Sequence, residues 1–331
     1  MITLGIDTSC DDTSIALLQD DRRILSNIVS SQVDLHSFFG GIVPEIASRK
    51  HVERIDVIYD NVLKEAGILS QNIDLVSVTN GPGLIGSVLA GLCFAKGLVL
   101  AVGKPLIAVN HIEAHAMSIF LEDKVDFPFI ALVVSGGHTI ILLFKDYCNF
   151  RVLGSTRDDA AGEAFDKIAK FLKIGYPGGK IIEDIARQGE KNYVMFPRPM
   201  KEDTNYDFSF SGLKTSFINY IKKNGFRNDN LAHILSSFQE AAFDLLSYKT
   251  IKAAKDYGIE RIVVGGGVAS NNRLREIFSE RSEHENIKVM FSSPHFCTDN
   301  GAMIAVTGYY YFQKGSTSSL DVNGYSRMKM M

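Results

Sequence analysis

His111-Ile112-Glu113-Ala114-His115 is the segment whose residue types and spacing point most directly to chemistry. On a helix, positions i and i+4 share a face, so both imidazoles can reach one metal ion. The preceding Asn110 suits an N-cap. In the zinc-protease pattern a glutamate directly follows the first histidine and serves as general base. Here Glu113 comes one position later, about 200° around the helix from His111, so it is predicted to point away from any ion the pair holds. The same spacing also suits histidines that only cap or hydrogen-bond. No third ligand is visible nearby. Asp299, in Cys297-Thr298-Asp299-Asn300-Gly301, lies at a predicted loop-to-helix junction and is the candidate. Two histidines and one carboxylate would suit Fe(II) or Zn(II) with open positions.

Four glycine-rich turns form a second group: Asn80-Gly81-Pro82-Gly83, Ser135-Gly136-Gly137, Tyr176-Pro177-Gly178-Gly179 and Gly265-Gly266-Gly267. Glycine lets backbone N–H groups approach a phosphate or ribose closely. Most Gly-Gly pairs are only turns, but four in one chain of alternating strands and helices favour a nucleotide cleft. None is a Walker loop or a G-x-G-x-x-G fingerprint. Asp158, Asp159 and Glu163 read as partners of a helix dipole, while Asp166, further in, could reach a ribose hydroxyl. Asp11 and Asp12 in the first turn are solvated carboxylates or substrate-facing ones. Arg198 and Lys214 are surface cations or phosphate contacts.

These residues need elements to hold them. Ile2 to Ile6 and Ser14 to Leu18 read as strands around a polar turn, and Phe129 to Val134 and Thr139 to Phe144 repeat that pattern about 125 residues later. Helices are predicted at Val52 to Ala66, Ile85 to Leu100, Ala160 to Leu172, Leu231 to Tyr257 and Asn272 to Ser282. Strands are predicted at Leu75 to Thr79, Leu106 to Val109 and Arg261 to Val264. The alternation predicts an α/β fold. From Gly175 to Gly212 the pattern breaks into Phe-, Pro- and Gly-rich pieces, read as long functional loops or a small helical insert. The apolar stretch Leu84 to Val109 contains glycines, Lys96, Lys104 and Pro105, so a buried helix and strand are predicted rather than a membrane span.

The chain has 331 residues, 46% hydrophobic and 22% charged, with four cysteines and no close cysteine pair. A reduced, cytoplasmic setting without a leader peptide is expected. The net charge of −3 excludes nucleic-acid binding by bulk basicity. Residues 1–150 hold 10 Lys/Arg against 17 Asp/Glu, and residues 151–331 hold 25 against 21. A polyanion is therefore expected to meet the second half, and a protein partner the first.

Taken together, GIDTSCDDT, GGIVPEIASRKH, NGPG, HIEAHAM, LVVSGGHT, DDAAGEAFDK, YPGG, FPRPM, FSFSGLKT, GGGVASNN and CTDNGAMIA resemble the TsaD family. These are tRNA N6-adenosine threonylcarbamoyltransferases, once described as O-sialoglycoprotein endopeptidases. The resemblance covers nearly the whole chain except the tail. It implies a two-lobed actin/Hsp70/sugar-kinase-like fold, with duplicated ribonuclease-H-like subdomains around a nucleotide cleft. The lobes would be residues 1–125 and 126–331, with an insert near 175–230. The implied reaction moves a threonylcarbamoyl group from L-threonylcarbamoyl-adenylate to N6 of adenosine 37 in tRNAs reading codons that begin with A. The implied metal ligands are His111, His115 and Asp299, holding one Fe(II) or Zn(II). The implied adenylate contacts are Val133, Val134, Ser135, Gly136, Gly137, Asp166, Gly179 and Asn271. Glu183 stands where the family often has Asp. Asp11 is the candidate general base for the attacking amine.

The resemblance also implies two protein partners, TsaB and the ATPase TsaE, and a threonylcarbamoyl-AMP synthase upstream. TsaB would dock on the first lobe, with Val52, Ile55, Ile58 or Tyr59 as apolar contacts. Two other readings stand beside the transferase. One is a metal-dependent glycoprotein endopeptidase, which the position of Glu113 opposes. The other is an ATP-binding, chaperone-like member of the same superfamily, in which the histidine pair is not expected.

Overall fold

A computed structural model describes residues 1–227 and 229–328. Along the chain run β1 (Ile2–Asp7), β2 (Thr13–Gln19), β3 (Arg23–Ser30), α1 (Val33–Ser37), α2 (Pro44–Ala66), β4 (Leu75–Gly81), α3 (Ile85–Val102), β5 (Leu106–Asn110) and α4 (His111–Met117). Then come β6 (Phe129–Val134), β7 (Thr139–Asp146), β8 (Asn149–Ser155), α5 (Ala161–Leu172), α6 (Gly178–Ala186), α7 (Ser211–Asn224) and α8 (Leu231–Asp256). Last are β9 (Arg261–Gly265), α9 (Asn272–Ser282), β10 (Lys288–Phe291), α10 (Pro294–Cys297) and α11 (Gly301–Gln313). The chain forms two compact units, Met1–Val125 with Thr298–Met331, and Asp126–Cys297.

The first unit is built on a five-stranded sheet of order β3-β2-β1-β4-β5. β1, β2 and β3 are antiparallel neighbours, while β1, β4 and β5 run parallel. The second unit's sheet, read from its β8 edge, is β8-β7-β6-β9-β10 with the same pattern of directions. The repeated strand–turn–strand motif in the sequence is therefore one part of a duplicated five-strand architecture.

In the first unit Leu4, Ile6, Ile15 and Leu17 pack with Ile55, Ile58 and Val62 of α2 and with Leu92, Ala95 and Val99 of α3. A second apolar cluster joins Leu75, Ile107 and Val109 to Ala114 of α4 and to Met303 and Ile304 of α11. Strand β4 is buried along its whole length, as a parallel strand covered on both faces must be. α2 starts earlier than predicted because Pro44 fits the first helical position, and Gly67 ends the helix in a left-handed conformation. Its inner face is Ala47, His51, Ile55, Ile58, Tyr59 and Val62. Three of the four predicted partner contacts are thus core residues, because helical periodicity turns Ile55, Ile58 and Tyr59 inward. Only Val52 faces out, at 66% exposure. α3 is long and apolar enough to cross a membrane, yet Val88, Leu92, Ala95 and Val99 are buried in this fold.

The predicted second lobe, 126–331, is corrected at its end. Residues from Thr298 onward return to the first unit, because α11 lies directly on its sheet. A Cβ on Gly5 would sit 2.1 Å from the Gly301 carbonyl oxygen, and one on Gly301 would sit 2.5 Å from the Ala16 amide nitrogen. Only glycine allows that approach.

In the second unit Ile130, Leu132 and Val134 of β6 pack with α5, α6, α7 and α8 around Phe165, Phe196, Phe217, Phe238 and Phe243. The segment read as loops or an insert therefore contributes two core helices. Phe196, Phe208 and Phe210, between those helices, are buried anchors. Gly5→Ala should force α11 off β1, costing about 2–3 kcal/mol or more. A thermal melt checks this, with a lowered Tm expected.

Candidate functional site

Strand β5 leads straight into α4, so His111 and His115 are set at the carboxyl end of the parallel strands. The Asn110 side chain accepts from the amides of Ile112 (2.9 Å) and Glu113 (3.2 Å), capping the helix as predicted. Asp299 arrives just before α11, where the Asn300 side chain accepts from the Met303 amide at 2.9 Å. The three candidate ligand atoms lie within 4.8 Å of one another. Asp299 Oδ1 is 3.2 Å from His115 Nε2 and 3.6 Å from His111 Nε2. Both histidines are buried. Neither ring nitrogen of His115 has a hydrogen-bond partner among the described residues. Buried imidazole nitrogens without hydrogen bonds, facing a carboxylate, fit a metal-binding group.

Asp7, at the end of β1, was not found by spacing. Its Oδ2 lies 3.3 Å from His111 Nδ1, and its Oδ1 accepts from the Thr79 hydroxyl (2.7 Å) and the Ser9 amide (3.2 Å). It is thus an outer partner that orients the His111 ring. Burial opposes a charged His111, but Asp7 and Asp299 outweigh it and push the imidazole up to about 9.

Glu113 turns away from this group, as its spacing predicted. It is buried against α11 and accepts from the Tyr311 hydroxyl at 2.8 Å. Burial raises its carboxyl to about 8.

Asp11 and Asp12 lie in the β1–β2 turn and are partly buried. Burial, then the charge of Asp299, raises the proton affinity of Asp11. Burial raises Asp12 to about 7, with Asp299, Asp11 and Asp7 adding to it against a hydrogen bond from Ser31. The acidic turn and the metal group therefore feel one another.

In the second unit, β6 and β9 run parallel and end together, with Val133 paired to Gly265. Val133 and Val134 are buried in the strand, and Ser135, Gly136 and Gly137 form the turn beyond it. The Ser135 amide donates to the His138 carbonyl at 2.8 Å. Where Cβ atoms of Gly136 and Gly137 would stand there is open space. Gly266, at φ +92°, backs onto this strand end, where a Cβ would lie 2.4 Å from the Val134 carbonyl oxygen.

The other predicted nucleotide residues meet at the N-termini of α6 and α9. Asp166 Oδ1 accepts from the Gly178 amide at 2.7 Å, beside Gly179. Glu183 Oε1 accepts from the Asn272 amide (2.9 Å) and side chain (3.0 Å). Asn271 caps α9 through the amides of Arg273 and Leu274 and donates to Gln239 Oε1 at 3.1 Å.

Four residues are spent differently from their sequence reading. Asp158 accepts from the amides of Phe210 (2.8 Å) and Ser211 (3.1 Å), so it secures the start of α7 rather than that of α5. Asp159 pairs with Lys167 and Lys214. Arg198 pairs with Asp244 at 3.0 Å.

Among solved structures, HypF of T. kodakarensis aligns over 95% of this chain and 48% of its own, with TM-score 0.66 and 14% identity. An activator of 2-hydroxyisocaproyl-CoA dehydratase from Clostridium difficile aligns over 95% and 97%, with TM-score 0.54 and 14% identity. The duplicated sheets and these neighbours define an actin-like ATPase-type fold. Residues 23–306 match the family TsaD: tRNA N6-adenosine threonylcarbamoyltransferase. The enzyme of that name from Syntrophus aciditrophicus is 52% identical over 99% of this chain and 97% of its own length. The one from Thermosipho africanus is 50% identical over the full length of both. The chain belongs to the TsaD family of tRNA N6-adenosine threonylcarbamoyltransferases.

His115→Ala should reduce bound metal from about one equivalent to almost none, read by elemental analysis, with the circular dichroism spectrum retained. Glu113 holds a proton in the folded state that an unfolded chain releases above its ordinary value of 4.5. Its burial therefore costs stability increasingly as pH rises from 4.5 toward 8. Glu113→Gln keeps an acceptor for Tyr311 and should raise Tm more at pH 8 than at pH 5.

Proposed function

We propose that this chain transfers the threonylcarbamoyl group of L-threonylcarbamoyl-adenylate to N6 of adenosine 37, in tRNAs reading codons that begin with A. The reading rests above all on the buried His111–His115–Asp299 group beside a turn carrying Asp11. The new bond joins N6 to the carbamoyl carbon. The bond from that carbon to the phosphate oxygen breaks, AMP leaves, and N6 loses a proton.

The donor is a mixed anhydride and already activated, so the protein chiefly holds and orients it. Ser135, Gly136 and Gly137 offer an open glycine turn to the phosphate, after Val133 and Val134 at the strand end. Asp166, Gly179, Glu183 and Asn271 flank the nucleoside. His111, His115 and Asp299 hold the metal, for which Fe(II) is the first choice and Zn(II) the second. A bound divalent ion would supply Lewis acidity toward the acyl donor. Asp11 takes the N6 proton, a role suited to a carboxylate whose proton affinity burial has raised.

The setting is the cytoplasm, with a threonylcarbamoyl-AMP synthase supplying the donor and with TsaB and TsaE as protein partners. TsaB docks on the outer faces of α2 and α3, where Val52, Val57, Ile85, Leu89 and Leu100 are exposed. This surface replaces the contacts at Ile55, Ile58 and Tyr59.

The protein is incubated with threonine, bicarbonate, ATP, the synthase, both partners and unmodified tRNA. Mass spectrometry of the digested tRNA should then show N6-threonylcarbamoyladenosine, and its absence with intact components overturns the proposal. Asp11→Asn should lower kcat about 100-fold or more with purified adenylate donor. Full activity would remove Asp11 from the mechanism.

A further inference from the structure

The β1–β2 turn has an electrostatic problem. Asp11 and Asp12 sit side by side in it, both partly buried. Like charges packed into a partly buried turn favour its opening. Its first residues are tied to the start of α3. The Thr8 hydroxyl donates to the Ser87 carbonyl at 2.7 Å, and the Leu84 amide to the Ser9 carbonyl at 2.8 Å. The stretch from Cys10 to Thr13, which carries both carboxylates, is held by a side chain from another element.

That side chain is His51 of α2, which is fully buried. Its Nε2 is 2.9 Å from the Cys10 carbonyl oxygen, and its Nδ1 is 2.7 Å from Thr13 Oγ1. A carbonyl only accepts, so Nε2 carries the proton and Nδ1 accepts from the threonine hydroxyl. With both nitrogens engaged the ring has one orientation. The Cys10 carbonyl shares a planar peptide unit with the Asp11 amide. Fixing that carbonyl fixes the plane from which the Asp11 side chain departs.

We propose that His51 is a positioning residue for Asp11, a role that rests on Asp11 being the base that receives the N6 proton. His51 touches neither substrate nor metal and acts by holding the Cys10–Thr13 turn closed against the repulsion of its carboxylates. A displacement of about 1 Å at a reacting group is enough to cost about 100-fold in rate.

The test uses the assembled system with both partners, measuring kcat, the KM for adenylate and for tRNA, metal content and Tm. His51→Ala should lower kcat about 10- to 100-fold, with both KM values within about threefold and metal content unchanged. His51→Gln, whose amide can still donate to the Cys10 carbonyl, should recover most of the rate. In an Asp11→Asn background, His51→Ala should add almost nothing, since residues acting as a unit are not additive. A wild-type kcat in His51→Ala, an effect confined to KM, lost metal, or full additivity with Asp11→Asn would each overturn the proposal. If His51→Ala does not fold, Thr13→Val removes one of the two contacts with little change of shape. It should lower kcat in the same direction, and an unchanged kcat there also overturns the proposal. Failure of the base role is separate: Asp11→Asn would then be fully active by itself.

Discussion

The close seating of α11 on β1 is the constraint on which the metal group depends. His111 and His115 come from a single helical turn, but Asp299 is almost two hundred residues further along and reaches them only because α11 lies against the sheet at Gly5 and Gly301. Metal coordination tolerates errors of about 0.2 Å. A single added methyl at the crossing exceeds that many times over. The Asn110 and Asn300 caps then set where each ligand-bearing segment turns into helix.

Electrostatics divides the molecule in a way that net charge does not describe. The first unit gathers Asp7, Asp11, Asp12 and Asp299 with two histidines, a set whose charges oppose one another until a cation or a proton intervenes. In the second unit many of the cations are already committed. Asp159 takes Lys167 and Lys214. Asp244 takes Arg198, Lys201 and Arg281. Arg273 is surrounded by Glu240, Glu276 and Glu280. The basic excess counted along the second half is therefore no measure of charge free to meet a nucleic acid. Much of it holds the α5–α7 and α8–α9 regions together.

Elements with a strong, uniform pattern were legible in the sequence. α9 is where the periodicity put it, as is β6, whose residues are all buried. The edge strands β3 and β10, and β8 with Arg151 and other exposed positions, were not. Half-buried strands carry charges and lack a clear alternation. The Phe-rich region is irregular between α6 and α7, in keeping with its reading as loops or an insert. Its aromatics are core residues, but they sit in irregular backbone where no period reveals them.

By itself the sequence determined what is local: the i, i+4 histidines, the turn of Glu113 away from them, three of the four glycine turns at strand ends, and a motif set specific enough to point to a family. Tertiary structure decided what depends on register and on the packing of distant segments. It placed Asp7 beside His111, and it placed His51 inside a turn forty residues earlier in the chain. It returned the C-terminal helix to the first unit, and it committed Lys214 and Arg198 to internal carboxylates. The physical reason is range. Helical spacing and capping act over a few residues, whereas a buried charge is governed by whatever the folded chain brings within a few ångströms of it.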